Sequence, residues 1–308
     1  MSCGDDDGSM SIDVPEGWVN ILDIPLEERY APSSFMIGDD IYIGLGSNLD
    51  GKLFKDWWVY STENDTWEQL GDFPGEARFD ALSFRIGAKG YVCMGRTETA
   101  GRINELWEFD SQTRAWLKLD DFPGTARSAP TVFVIGDRAY IGSGIANGIT
   151  SLNDFYAFNS TNNLWSSIPD YTGIASYGFT SFAIGDNGYL MAGVINNDER
   201  TNRHIIYNSN TGTWNDLPSF PGTERLEGIG FTIDGKGYFG LGSIDNNTAS
   251  TDFWVYDPSS TTWQETTSFT GEPRFSTTHG SNGKVGYFGF GLRGNSQYND
   301  LYLFYPDN

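Results

Sequence analysis

Three residue types recur at a constant interval of 49 residues through almost the whole chain of 308. Each occurs six times in the same register, as Trp18, Trp67, Trp116, Trp165, Trp214 and Trp263; as Tyr42, Tyr91, Tyr140, Tyr189, Tyr238 and Tyr287; and as Gly46, Gly95, Gly144, Gly193, Gly242 and Gly291. A repeat of this length with the pattern of short strands predicts a β-propeller with six blades.

Each repeat contains four short apolar segments separated by Asp, Asn and Gly turns. In the first repeat we predict strands over 33–37, 41–46, 57–60 and 67–70. Several segments are apolar on both faces, which fits blades that pack against a neighbour on each side. The first segment begins with small residues, so we expect it to lie innermost, with the Trp segment outermost. The sequence therefore predicts an all-β, six-bladed propeller with four antiparallel strands per blade.

The last repeat ends at Asp300-Leu301-Tyr302-Leu303-Phe304 without a following Trp, whereas Trp18 precedes the first complete repeat. We therefore expect the N-terminal strand around Trp18 to supply the outer strand of the last blade and close the ring. On this reading, residues 13–308 form one propeller and residues 1–12 an acidic, flexible tether.

The formal net charge is −22, from 41 acidic residues against 19 Lys and Arg. Phosphate backbones would repel such a surface, so nucleic acid is not an expected partner. No apolar run approaches the length of a membrane span. Aromatic residues make up 15% of the chain and 38 residues are Gly, a composition that suits sheets and tight turns.

The repeat resembles the kelch family, and the segments 73–78 and 252–257 resemble kelch repeats of Bacteroidetes-type secreted proteins. The matching elements are an Arg before the inner strand, a Gly-x-x-x-Tyr-x-x-x-Gly core, an acid leading the third strand and the spaced Trp. Galactose oxidase also contains a kelch propeller, but its copper site requires more ligands than His204 and His279, which lie in non-adjacent repeats. We therefore expect no metal and no cofactor.

The N-terminal sequence Ser2-Cys3-Gly4-Asp5-Asp6-Asp7 resembles that of a mature bacterial lipoprotein. This resemblance implies that Cys3 is lipidated, that the propeller is an extracytoplasmic outer-membrane lipoprotein, and that it meets the membrane only through a lipid anchor. The alternative is an acidic tail with an incidental cysteine.

Five arginines share one register position at the entry to the innermost strand, namely Arg29, Arg78, Arg127, Arg225 and Arg274, and Ser176 replaces the sixth. In a closed ring they would form a crown near the axis, where guanidinium groups could bind carboxylates, sulfates or phosphates. The alternative is a structural role, in which each Arg binds loop carbonyls or a neighbouring acid such as Glu28, Glu76, Glu224 or Glu272.

We place the functional face at the arginine side, because the loops between the second and third strands lie there and differ most between repeats. Asp80 and Glu227 each follow an Arg by two residues, and His279 lies in the last inner strand. These three residues complete the candidate ligand-binding set, since a carboxylate and a His can act as acid and base. The fourth repeat departs most from the pattern, which would either open a pocket or reflect drift.

Two classes of function remain. The first, which the lack of a distinctive catalytic cluster favours, is a monomeric, non-catalytic module that binds a glycan or a protein, with an anionic ligand suiting the arginine crown. The second is a sugar-modifying enzyme resembling the six-bladed kelch mutarotase of sialic acid, with an Arg for the carboxylate and a nearby acid and base.

Overall fold

The structure is a computed structural model that describes residues 16–195, 199–245 and 248–306. Over these residues it contains strands and loops but no helix, so no described helix could cross a membrane. Six four-stranded antiparallel sheets form the six blades, which confirms the predicted all-β propeller. Cys3 and the predicted tether over residues 1–12 lie outside the described residues.

The strands follow the 49-residue repeat, and blade 1 consists of Ser33–Ile37, Asp40–Gly44, Trp57–Ser61 and Thr66–Leu70. Blade 2 consists of Leu82–Ile86, Lys89–Cys93, Leu106–Asp110 and Ala115–Leu119. Blade 3 consists of Thr131–Ile135, Arg138–Gly142, Phe155–Asn159 and Leu164–Ile168. Blade 4 consists of Thr180–Ile184, Asn187–Met191, His204–Asn208 and Thr213–Leu217. Blade 5 consists of Ile229–Ile233, Lys236–Gly240, Phe253–Asp257 and Thr262–Thr266. Blade 6 consists of Thr278–Ser281, Gly286–Gly289, Leu301–Tyr305 and the N-terminal Gly17–Ile21.

Shorter strands lie in the loops between the blade strands. They are Arg78–Phe79, Arg96–Thr97, Gly101–Arg102, Ile145–Ala146, Thr150–Ser151, Val194–Ile195, Glu199–Arg200, Leu292–Arg293 and Ser296–Gln297. Most of them form two-residue hairpins between the second and third strands of a blade. These hairpins extend the loops on the face that the sequence analysis selected.

The first strand of every blade contacts the first strands of both neighbouring blades, so the six innermost strands form a closed ring around the axis. Small polar side chains connect them at the repeat interval. The Ser34 amide donates to the Ser83 hydroxyl at 2.9 Å, and the Ser281 hydroxyl donates to the Thr232 carbonyl at 2.7 Å. Small hydroxyl residues therefore serve the innermost strand because each reaches the backbone edge of the next blade.

Aromatic rings fill the space between blades. Phe35 of blade 1 packs against Gly90 of blade 2, where an added Cβ would lie 2.1 Å from the ring. The same arrangement recurs where Phe133 meets Gly188 and where Phe182 meets Gly237. The glycine before the repeated Tyr is therefore required by the close approach of the preceding blade.

The N-terminal strand closes the ring as predicted. Gly17–Ile21 pairs antiparallel with Leu301–Tyr305, with Trp18 opposite Phe304. The Trp18 ring contacts Phe253, Phe269 and Phe304 at centroid distances of 5.0, 5.4 and 4.8 Å. The outer strand of blade 6 is thus anchored by the same kind of aromatic cluster as the outer strands of the other blades.

Candidate functional site

The first residues of the innermost strands surround a cavity of about 480 Å³ on the loop face of the axis. Its lining is mostly small residues and hydroxyls, with a few larger side chains. The charged members are Asp80 and Glu227, and His279, Tyr177 and Phe179 also contribute. The register thus brings together the three non-arginine residues that the sequence analysis selected.

Asp80 and Glu227 occupy one repeated backbone position at the cavity rim. The six equivalent residues, Ala31, Asp80, Ala129, Gly178, Glu227 and Ser276, all have a left-handed φ between 48° and 66°. Non-glycine residues seldom adopt this conformation, yet the position keeps it in all six blades. Backbone bonds such as Gly178 N–H to Ala129 C=O at 3.0 Å join neighbouring blades here. The ring is therefore fixed before any ligand arrives.

Burial in the cavity, together with the negative charge of Glu227, raises the pKa of Asp80 to about 6, although Arg96 and Arg102 oppose the shift. Arg96 lies 3.8 Å from the Asp80 carboxylate, too far for a close ion pair, and the Asp80 side chain is 32% exposed. Asp80 therefore faces the cavity with a carboxyl group that changes protonation near neutral pH.

Burial also raises the pKa of Glu227, although two hydrogen bonds from Ser276 counteract the shift. The Ser276 amide and hydroxyl donate to Glu227 Oε2 at 3.0 and 2.8 Å. These bonds hold the carboxylate in place and also join blades 5 and 6. Blades 2 and 5 lie on opposite sides of the ring, so Asp80 and Glu227 face each other across the axis.

His279 lies deeper, in the innermost strand of blade 6, and borders both this cavity and a second one further along the axis. Its Nδ1 atom is buried without a hydrogen-bond partner among the described residues. Burial lowers the pKa of His279 to about 4, so the ring is neutral at pH 7. It can accept or donate a hydrogen bond, but it supplies no charge for an anion.

The five arginines of the predicted crown are not part of the cavity lining. Arg29, Arg78, Arg127, Arg225 and Arg274 are buried within the blades, with 0–1% of each residue exposed. This corrects the expectation that their guanidinium groups surround the axial opening. The reason is that each guanidinium hydrogen bonds to an acid and to at least one backbone carbonyl inside its own blade.

Arg127 illustrates the arrangement. Its Nη1 and Nη2 atoms bind both carboxylate oxygens of Asp154 at 2.6 and 2.7 Å. Its Nε donates to the Thr125 carbonyl and its Nη1 to the Ser143 carbonyl. The five arginines therefore have the structural role that the sequence analysis gave as the alternative. The acid that each one binds, however, precedes the third strand of its blade and is not a neighbour in the sequence. The five acids are Asp56, Glu105, Asp154, Asp252 and Asp300.

These pairs affect the carboxyl groups as well. Burial alone would raise the pKa of Asp56, but the hydrogen bonds and charge of Arg29 hold it below its usual range. In the same way, Arg78 and Lys118 overcome burial and lower the pKa of Glu105 to about 2. The sequence signal that would have identified these partners is an acid 26 or 27 residues after every one of the five arginines.

Blade 4 lacks both members of this pair, because Ser176 stands at the Arg position and Arg203 at the acid position. The Arg203 guanidinium lies 5.1 Å from the centre of the Tyr171 ring. In blade 3 the Arg127 guanidinium lies over the equivalent Phe122 at 5.1 Å. A cation thus still lies over the aromatic ring in blade 4, but it comes from the position that carries the acid in the other blades. The divergence of blade 4 is compensated locally.

His204 is not part of the site. It is a core residue of blade 4, packed against Tyr256 and Trp263 at 4.8 and 5.3 Å. Among the described residues, no group of His, Cys, Asp and Glu is arranged to hold a metal ion. The chemistry available in the cavity is therefore that of two carboxyl groups, a neutral imidazole and hydroxyls.

Comparisons with known proteins agree with this architecture. A solved structure described as "Structure of YjhT" superposes with a TM-score of 0.79 at 17% identity, covering 94% of this chain and 98% of that one. No curated protein sequence matches the chain. A family model described as the KLHDC2/KLHL20/DRC7 Kelch-repeats domain matches residues 19–193. Because that match spans more than half of the chain, the protein belongs to the kelch-repeat family.

Proposed function

We propose that the propeller binds a neutral saccharide in the loop-face axial cavity, with Asp80 and Glu227 accepting hydrogen bonds from its hydroxyl groups. The observation that carries this proposal is the pair of carboxyl groups facing each other within one concave site. Ionised carboxylates are strong hydrogen-bond acceptors. The volume of about 480 Å³ falls in the range of small-ligand sites.

The charge of the lining argues for a neutral ligand rather than the anionic one that an arginine crown would favour. Every arginine of that crown is buried and paired with an acid, whereas the two acids face the cavity. A carboxylated ligand placed between Asp80 and Glu227 would meet like charge. The rings of Tyr177 and Phe179 provide apolar area for a sugar face.

The test is a screen of neutral mono- to trisaccharides followed by calorimetric titration of wild type, Asp80→Asn and Glu227→Gln. Each variant is expected to raise the Kd at least about tenfold, because a charge-assisted hydrogen bond is lost. Asp50→Asn is the matched control, since Asp50 is exposed on a loop of the same face. Equal Kd values for the variants and wild type would refute the proposal.

A second candidate function is acid–base modification of the bound sugar, in line with the resemblance to the sialic acid mutarotase. It is favoured by the pKa of Asp80, which burial raises to about 6 and which suits proton transfer near neutral pH. Exchange between sugar anomers, followed by NMR, is the appropriate measurement. Asp80→Asn should slow the exchange more than it weakens binding. If the anomers exchange only at the uncatalysed rate in the presence of wild type, this second candidate is refuted and the binding function remains.

We also propose that Cys3 carries a lipid anchor that attaches the propeller to a bacterial outer membrane outside the cytoplasm. The support is the resemblance of residues 2–7 to a lipoprotein N-terminus. Membrane fractionation of cells expressing the precursor tests it, with Cys3→Ala expected in the soluble fraction. Retention of the Cys3→Ala protein in membranes would contradict it.

A further inference from the structure

A second cavity, of about 370 Å³, lies at the other end of the axis, where the innermost strands turn into the second strands. Its lining comes from the ends of the first strands, including Ser83, Arg85, Thr232 and Ser281. The residues that it shares with the loop-face cavity are Ser83, Phe84, Val132, Gly230 and His279. The two cavities therefore follow one another along the axis but differ in the residues that surround them.

Arg85 is the one residue with a permanent charge in this lining. The equivalent residues of the other blades are Met36, Val134, Ala183, Thr232 and Ser281. Arg85 is half-buried, and no hydrogen bond or ion pair joins its guanidinium to any residue that the structure describes. This contrasts with the five arginines of the blades, each of which is bonded to an acid and to backbone carbonyls.

Among the residues that the structure describes, no Asp or Glu lines this second cavity. Asp80 and Glu227 line the loop-face cavity, at the opposite end of the axis. His279 between them is neutral at pH 7, because burial lowers its pKa to about 4. The charged side chains along the axis are therefore separated by sign, with carboxyl groups in the loop-face cavity and a guanidinium in the turn-face cavity. A half-buried cation without a counter-charge is unfavourable, and a bound anion would relieve that cost.

We propose that the turn-face cavity binds a small oxyanion through Arg85. A guanidinium provides a rigid fork of N–H donors that matches the oxygen atoms of carboxylate, sulfate or phosphate. Ser83 is the neighbouring donor. Its hydroxyl oxygen accepts the Ser34 amide, so its own proton remains for the anion. Ser83 lines both cavities, whereas Arg85 lines only the turn-face cavity, so substitution of Arg85 separates anion binding from sugar binding.

The test is calorimetric titration of wild type with sodium sulfate, sodium phosphate and sodium acetate at constant ionic strength, with sodium chloride as the balancing salt. We expect one anion per chain and a Kd at least about tenfold weaker in Arg85→Gln. Arg85→Lys should fall between the two, since it keeps the charge and loses the fork. The order of sulfate, phosphate and acetate then distinguishes tetrahedral oxyanions from carboxylates.

Arg138→Gln is the matched control, because Arg138 is an exposed arginine beside a turn on the same face and lies outside the cavity lining. It should bind the anion as wild type does. Absence of saturable binding in wild type would overturn the proposal, and so would equal affinities for wild type and Arg85→Gln. If Arg85→Gln fails to fold, Arg85→Lys provides the comparison, and a Kd equal to that of wild type would overturn the proposal.

Discussion

At the scale of single residues, charged side chains are used in two opposite ways. The blade arginines and their acids satisfy one another inside each repeat, as Arg127 and Asp154 do. Asp80 and Glu227, by contrast, hold carboxyl groups in a cavity where burial opposes their ionisation. The first arrangement stabilises the fold, whereas the second lowers stability at neutral pH and fits a ligand site.

Removing one member of a blade pair should therefore be costly. Arg127→Met is expected to reduce the free energy of unfolding by about 3 kcal/mol, because it leaves a carboxylate and two carbonyls without their donors. Arg138→Met, on an exposed arginine, should change it by less than about 0.5 kcal/mol. Urea denaturation measures both. A loss below 1 kcal/mol for Arg127→Met would contradict the structural role.

Removing the charge of Asp80 should have the opposite effect. The pKa of Asp80 rises from 3.8 to about 6 on folding, so the native state binds the proton more tightly than the unfolded state does. Stability is therefore lost as pH rises through this interval, and the whole loss is present above pH 6. Asp80→Asn removes this loss of stability, because the amide does not ionise.

We expect Asp80→Asn to stabilise the protein by about 1 kcal/mol at pH 7, a value reduced from the full shift because the side chain is partly exposed. At pH 4 most of the gain should disappear, because Asp80 is protonated in the native state and only about half ionised in the unfolded state, whose pKa is 3.8. Thermal melts of wild type and Asp80→Asn between pH 4 and pH 8 provide the measurement. A gain that is independent of pH would contradict the raised pKa.

At the scale of the blade, blade 4 shows which substitutions the Arg–acid pair of the repeat accepts. Ser176 and Arg203 replace the Arg and the acid together, and the guanidinium still lies over the aromatic ring. The two positions therefore depend on one another. A change in one of them alone would leave either two cations or an unpaired acid in the same place.

This dependence can be measured with a double-mutant cycle. Ser176→Arg and Arg203→Asp should each destabilise the protein, whereas the double variant rebuilds the pair of the other blades. We expect a favourable coupling free energy of at least about 1 kcal/mol from denaturation. Additive effects of the two substitutions would show that the blade-4 residues are independent.

The strand pattern of the blades was predictable because it depends on local periodicity. Ser33–Ile37 and Trp57–Ser61 appear within a residue of their expected ends. The approach of Asp80 and Glu227 was also predictable, since a closed ring places equal register positions at equal depth. His279 follows that register position of blade 6 by three residues and lies deeper. The burial of the arginines was missed, because the acids considered lay next to each Arg, whereas the actual partner follows 26 or 27 residues later. Arg85 was missed because its position in a strand gave no sign that neighbouring blades lack a counter-charge.

At the scale of the whole molecule, the six innermost strands form one ring that depends on the pairing of Gly17–Ile21 with the last repeat. Deleting residues 1–24 should lower the Tm by more than about 10 °C, because it removes Trp18 from its aromatic cluster and exposes a strand edge. Deleting residues 1–10 is the control and should leave the Tm unchanged. Equal melting temperatures for the two truncations would contradict closure by the N-terminal strand.

The proposed saccharide site lies at the loop-face end of the axis, between Asp80 and Glu227. A crystal structure of the protein with the tightest-binding sugar from the screen would show whether the sugar occupies this site. We expect the sugar in the axial cavity, with hydroxyl groups about 2.5–3.0 Å from the carboxylate oxygens of Asp80 and Glu227. A sugar bound on the outer strands or between blades, with the axial cavity empty, would contradict the account.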